Sequence, residues 1–199
     1  MILNELLSEP DRGISRELLN QSVCVSVFPS VKKAAFIVGS SYSRGVISCR
    51  TGANLNGSWS APAMLALDGG SFGLQAGGQA TDFVLLVMND EGARSILEGK
   101  VKLGANASIA AGPVGRNTSG ETDAAMKAEI LSWSRGRGVF AGIDLSGSTI
   151  RSDASADKEL YGKDLTATQI LRDGAVQPPA AAQSLAALLN RVSPKRKGY

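Results

Sequence analysis

The groups in this chain that could do acid–base chemistry are carboxylates, for instance Asp68, Asp82 and Asp144. A glycosidase-like pair needs two carboxyls converging across a cleft, which sequence spacing does not supply. Aspartate is common at turns for local hydrogen-bonding reasons, and these three are read as turn carboxylates. The chain contains no histidine. That removes Ser-His-Asp and Cys-His nucleophile systems and every metal site that uses imidazole. "GGSFG", Gly69 to Gly73, matches the form of a nucleophile elbow around Ser71, but it lacks both the histidine and the strand-to-helix turn that the elbow needs. "GRGVFA", Gly136 to Ala141, matches G-x-G-x-x-A, yet the following "VFAGIDLSG" alternates as a strand instead of opening a helix. No catalytic residue, no metal ligand and no cofactor is assigned.

Two cysteines, Cys24 and Cys49, are too few for a cysteine-rich zinc site. They are read as two small buried apolar residues on strands in preference to a disulfide, which would need facing strands and an oxidising compartment.

Basic residues form the other candidate group. "SYSRGV" at Ser41 to Val46 and "SWSRGRGVFAG" at Ser132 to Gly142 share the pattern serine, aromatic, serine, arginine, glycine. Glycine there is read as a tight turn, which puts Arg44, Arg135 and Arg137 at exposed hairpin ends. Lys32 and Lys33 precede a strand and add two charges. A guanidinium fork suits phosphate oxygens, so these five are the candidate contacts to an anionic partner, set against scattered solubilising charge. Nucleic acid is not expected, because few aromatic residues accompany the basic ones.

Positioning these residues falls to strands in the middle of the chain and helices at its ends. Ile2, Leu3, Leu6 and Leu7 share a face of a short helix ending near Pro10, and Ser15 caps a second helix carrying Leu18 and Leu19. "VCVSVFP" alternates, with Val23, Val25 and Val27 on one side and Cys24, Ser26 and Phe28 on the other. Further strand candidates follow: "AAFIVGSSY", "GVISCRT", "AMLALDGG", "SFGLQAGG" and "TDFVLLVMN". Asp90 caps the mid-chain helix "EGARSILEG", with Gly99 as its stop. Beyond the strand-like "KVKLGANASIAAGPVG" and "VFAGIDLSGSTIRSD" the chain turns helical. Its last helix carries the stripe Leu185, Leu188, Leu189 and Val192, expected to pack on the sheet.

With 199 residues, 43% of them hydrophobic, the chain suits one well-buried domain. A net charge of +3 permits an anionic partner without announcing one. "FVLLVM" is too short to span a bilayer, and "MILNELLSEPDRG" turns polar too soon for a signal peptide. A leader for export would lie outside these residues. The fold class expected is α+β: a single domain with a mainly antiparallel sheet, strongly curved or barrel-like, and helices at the N- and C-terminal ends.

The order of motifs carries a resemblance. "VFPSVKKAAFIVGSSYSRGV", "GSWSAPAMLALDGGSFGLQAGGQATDFVLLVMN", "VKLGANASIAAGPVGR" and "SWSRGRGVFAGIDLSGSTIRSD…LYG" together resemble the SYLF domain, in uninterrupted order from about Leu18 to Gly162. Trp133 stands where the family more often has tyrosine, and neither cysteine belongs to the family pattern. The resemblance implies a single domain over 1–199, with its core at about 18–162 and a helical extension at 163–199. It implies a non-enzymatic module that binds acidic lipids such as phosphoinositides at a membrane surface, with Lys32 and Lys33 as its basic contacts; Arg44, Arg135 and Arg137 join them from the turn pattern above. In lipid-binding members an N-terminal amphipathic segment also meets the membrane, which here corresponds to Ile2 to Leu7. Some fungal relatives bind actin filaments, so a protein partner is the alternative. Without SH3 or FYVE sequence the chain looks like a stand-alone bacterial member, implying a periplasmic or outer-membrane-associated location.

Overall fold

The computed structural model describes residues 2–9, 13–33, 40–52, 54–70, 81–113, 127–136 and 139–196. Two short helices, α1 (Ile2–Ser8) and α2 (Arg16–Gln21), lead into the sheet. Ser15 caps α2 as its sequence position suggests, its hydroxyl accepting from the Leu18 N–H at 3.2 Å. The strands are β1 (Cys24–Lys33), β2 (Ser40–Cys49), β3 (Ala63–Gly70), β4 (Thr81–Val87), β5 (Lys100–Lys102), β6 (Ile109–Ala111), β7 (Ile130–Gly136), β8 (Val139–Gly142) and β9 (Thr149–Ser152). Helix α3 (Asp90–Leu97) lies between β4 and β5. Its cap is Asn89, whose side chain accepts from Gly92 N–H at 2.9 Å, so Asp90 is the first helical residue instead of the cap. After β9 come α4 (Ala154–Tyr161), α5 (Ala167–Leu171), a 3-10 turn (Ala180–Ala182) and α6 (Gln183–Val192).

The strands join in the order β5-β9-β3-β2-β1-β4-β7-β6, with β8 paired to β7, and the sheet curls into an open half-barrel. All pairings are antiparallel except β6–β7, which is parallel and makes the sheet mixed. The segment "SFGLQAGG" falls outside the described residues.

Alternation along the strands feeds two cores, one on each face. One face holds Phe28, Ile47, Leu65, Leu67, Phe83 and Leu85, covered by Ile96 of α3 and Ile170 and Leu171 of α5. The other holds Val25, Val27, Val84, Leu86, Leu131 and Trp133, covered by Leu3 and Leu6 of α1, Leu19 of α2 and Leu188 and Leu189 of α6. The α6 stripe is thus spent on packing. So is the apolar face of α1, since Leu3 and Leu6 are fully buried.

The two S-[YW]-S-R-G copies are strands, and only one of them ends at a turn. Gly45 sits inside β2, opposite Leu65. A Cβ there would lie 2.4 Å from the Phe28 ring, so glycine is required for packing and not for chain reversal. Gly136 closes β7 at the hairpin to β8, where it pairs with Val139.

Cys24 and Cys49 correct the expectation of two free thiols: they form a disulfide. They stand directly opposite each other in the β1–β2 ladder. The Arg50 N–H donates to the Val23 carbonyl just outside them, so theirs is a non-hydrogen-bonded pair, the closer of the two antiparallel spacings. Their Cα atoms are 4.0 Å apart. Alternation places Cys24 on the same side of its strand as Phe28. It could not show that Cys49 would meet it, because that depends on register. Closing a loop of separation 25 removes denatured-state entropy worth about 3 kcal/mol. Cys24→Ala with Cys49→Ala is therefore expected to lower the unfolding free energy by that amount, read as a lower urea midpoint at unchanged slope, while the circular dichroism spectrum is retained. An unchanged midpoint would show that the cross-link contributes nothing.

Candidate functional site

The candidate basic residues fall around α1. Residues at alternate positions share a face, so Tyr42 and Arg44 on β2 lie on the same side of the sheet as Val46, and Arg135 on β7 lies on the side of Trp133. That is the face covered by α1 and α6. Ile2 of α1 shares a groove with Arg44, and Glu5 of α1 meets Arg135. Helix α1 therefore sits between the two arginines.

Arg44 lies in the middle of β2, opposite Ala66, and not at a hairpin end. Its Nε donates to Asp153 at 2.7 Å and to the Tyr42 hydroxyl at 3.2 Å. The Arg44 side chain is 50% exposed and that of Asp153 only 4%. Asp153 also caps α4, accepting from the Ala156 N–H and the Ser155 hydroxyl. Burial pushes its pKa up, but the bonds from Ser155 and Ala156 and the charge of Arg44 outweigh that and hold it below the ordinary carboxyl value. Next to this pair Arg151 binds Asp68 at 3.0 Å and lies over the Tyr42 ring, 5.9 Å from its centre.

Arg135 does stand next to a hairpin, one residue before its end. It bonds Glu5 at 2.5 Å, lies 3.7 Å from Asp82 and covers the Phe140 ring at 5.6 Å. Both described candidate arginines are thus matched by carboxylates. Lys32 and Lys33 stand opposite Tyr42 and Ser41 in the β1–β2 ladder, which brings the backbone at Lys32 to within two residues of Arg44 along β2. Arg137 falls outside the described residues, as does Ser71. The three candidate aspartates do not converge. Asp68 faces Arg151, Asp82 faces Arg135, and Asp144 accepts from the N–H and hydroxyl of Ser146. Among the described residues no group of three acidic, cysteine or histidine side chains could hold a metal.

A groove of about 390 Å³ opens on this face between α1, the Ala181–Leu185 segment and strands β1 to β3. Val27, Val46, Met64, Ile2 and Leu185 line it, with Arg44 as its cation.

Besides Asp153, two more buried charged groups escaped the sequence reading. Arg50, which follows β2, is fully buried. It donates to the carbonyls of Ser22 and Gly57 and to the Ser193 hydroxyl, and stacks on Trp59 at 4.4 Å. Burial, with Arg196 nearby, pushes its pKa down to about 10, so it stays charged at neutral pH. Asp157 is buried on α4, one turn beyond Asp153. Its Oδ1 accepts from the Met64 N–H at 2.7 Å, while Oδ2 has no hydrogen-bond partner. The only signal in the sequence was the i, i+4 spacing of Asp153 and Asp157, which puts both on one helix face toward β3.

Asp157 gives a pH dependence. Burial, followed by the charge of Asp153, raises its pKa from 3.8 to about 6. A carboxyl that holds its proton more tightly when folded favours the folded state at low pH. Its cost sets in as pH rises past the unfolded value and is complete above the folded one. The tighter proton binding corresponds to ~3 kcal/mol. Asp157→Asn keeps an acceptor for Met64 and should be more stable than the parent at pH 7.5, with the difference vanishing by pH 3.5 in urea unfolding. A pH-independent difference would contradict this assignment. Reversal at Arg135 should loosen α1: Arg135→Glu faces Glu5 and Asp82, and amide exchange within residues 3–8 should quicken. Exchange unchanged from the parent would mean that Leu3 and Leu6 hold the helix without the ion pair.

The family described as "Ysc84: Las17-binding protein actin regulator" matches residues 68–192, more than half of the chain. Among similar proteins, the SH3 domain-containing protein PJ696.02 of Schizosaccharomyces pombe is 36% identical over 82% of this chain and 38% of its own length. Protein YSC84 of Saccharomyces cerevisiae is 34% identical over 81% of this chain and 35% of its own length. SH3 domain-containing YSC84-like protein 1 of Rattus norvegicus is 31% identical over 94% of this chain and 54% of its own length. This chain spans between about a third and a little over half of each relative. All three relatives are eukaryotic, from cells without a periplasm or outer membrane, and this overturns the expected periplasmic or outer-membrane-associated location. The resemblance seen in the motif order is upheld, and the chain belongs to the Ysc84, or SYLF-domain, family of actin regulators.

Proposed function

We propose that this domain is a non-enzymatic protein-binding module of the actin machinery, with the actin filament as its partner. The observation that carries this reading is the match to an actin-regulator family over residues 68–192, from β3 through α6. Relatives named as Las17-binding proteins in Saccharomyces cerevisiae, 32% identical over 88% of this chain, add support for a protein partner. The pairing of Arg44 with Asp153 and of Arg135 with Glu5 is consistent with it, since a surface of matched charges favours geometric recognition over attraction to any anion.

Acidic-lipid binding at a membrane surface is the second reading. It would use Lys32, Lys33, Arg44, Arg135 and Arg137, and the half-exposed Arg44 beside an apolar groove is the observation that favours it. Each basic residue near a charged bilayer contributes about 1 kcal/mol, so neutralised arginines weaken this reading more than the loss of any one contact.

Co-sedimentation separates the two. The domain at micromolar concentration should pellet with actin filaments and saturate, and should remain in the supernatant with liposomes of 30% phosphatidylserine at about 0.15 M salt, where exposed charge is screened beyond ~8 Å. Pelleting with acidic liposomes but not with filaments would reverse the order of the two readings. Pelleting with neither would remove both.

A further inference from the structure

We propose that the groove beside Arg44 binds one long-chain fatty acid, with its tail along the sheet face and its carboxylate at the Arg44 guanidinium. It uses the same arginine and groove that favour the second reading but goes beyond both, because a monomeric ligand is asked to bind without filaments or bilayers.

The size and lining come first. A volume of about 390 Å³ falls in the range of small-molecule sites, which are mostly apolar with a few placed polar groups. The floor is Val27, Val46 and Met64 from three adjacent strands, and Ile2 and Leu185 rise on either side. Arg44 and Ser184 are the polar side chains of the lining.

The chemistry of the walls then selects the occupant. A peptide would bring backbone N–H and C=O groups into the groove, and each left without a partner costs free energy. The floor has little to offer them, since Val46 is paired on both sides, with Val27 and with Met64. Pro29 and Pro62, also in the lining, have no N–H to give. An aliphatic chain carries no such groups and loses nothing by entering.

The charge at the rim selects the other end. Arg44 uses its Nε for Asp153 and Tyr42, and half of its side chain remains exposed. Asp153 is the nearby acid that an incoming anion must tolerate. It is almost wholly buried, and its charge is met by Ser155, the Ala156 N–H and Arg44 itself. A guanidinium can serve two carboxylates from different edges, and a carboxylate suits its fork.

The test is a fluorescence titration of the whole chain with cis-parinaric acid below its aggregation concentration, followed by displacement with oleate or oleyl alcohol. One-to-one saturable binding is expected, with oleyl alcohol about tenfold weaker than oleate, the scale of a single charge-assisted bond. Arg44→Gln should weaken oleate about tenfold and leave oleyl alcohol unchanged. Ala182→Trp fills the groove and should abolish binding of both while filament sedimentation keeps its parental level. If Ala182→Trp fails to fold by circular dichroism, Ser184→Trp reads the same wall. Binding that does not saturate, or a folded groove-filling variant that binds undiminished, overturns the proposal. Equal loss of acid and alcohol in Arg44→Gln overturns the assignment of the carboxylate.

Discussion

A sheet buried on both faces leaves no cheap position for a charged side chain, and this constraint explains most of the polar architecture. Antiparallel sheets commonly leave one face to water, which gives a clean apolar–polar alternation. Here successive positions along each of β1, β2, β4 and β7 alternate between the two cores. A charge on such a strand must reach an edge of the covering helices or find a partner beneath them. Arg44 reaches the margin of α1 and α6 and meets Asp153; Arg135 reaches the other margin and meets Glu5. Both arginines show where the helical cover stops.

Arg50 is the extreme case, a guanidinium fully inside with neutral described partners. It joins three pieces far apart in sequence: the end of α2 through the Ser22 carbonyl, the 52–58 loop through the Gly57 carbonyl, and the end of α6 through Ser193. Ser193 in turn donates to the Leu19 carbonyl and accepts, at its own carbonyl, from the Trp59 indole. Arg196 repeats the motif one step outward, donating to the Gln21 and Met88 carbonyls. Carbonyls at helix ends are the negative pole of the helix, so they suit a buried cation better than isolated carbonyls would. The packing of α6 is therefore fixed from two directions, by the leucine stripe along its face and by this cluster at its end.

The period of the apolar residues made the elements legible, but it did not reveal contacts that depend on register. The alternation of "VCVSVFP" placed Val25 and Val27 against one core and Cys24 and Phe28 against the other, as found, but Val23, expected beside Val25, precedes β1 and packs into the core of Cys24 and Phe28. The Leu185–Val192 stripe likewise predicted a helix seated on the sheet. Register between distant strands has no local signature, so the meeting of Cys24 with Cys49 was missed. The misreading of Gly45 as a turn has the same origin. A glycine that makes room for a ring on the next strand looks, in sequence, like a glycine that turns the chain. The candidate basic residues were found by type, and their partners were not: Asp153 is 109 residues from Arg44, and Glu5 precedes Arg135 by 130 residues (135 − 5).

These pairings change what positive charge can mean here. An arginine held by a carboxylate presents a dipole to a partner, and a long-range field from +3 spread over 199 residues is weak. Recognition must then rest on shape and on the edges of the guanidinium groups that their carboxylates leave open. Helix α1 is the element best placed for that. Its 7 residues are too few to hold a helix in water without tertiary support. It is flanked by a groove on the Arg44 side and by a smaller hollow of about 300 Å³, lined by Asn4, Leu188 and Arg191, on the α6 side. Leu3, Leu6 and the Glu5–Arg135 pair hold it between these two openings. Any partner that engages Arg135 must compete with Glu5, and any ligand that fills the groove adds contacts to Ile2. Arg135 thus bears on that helix through its ion pair with Glu5, and Arg44 through the groove it shares with Ile2.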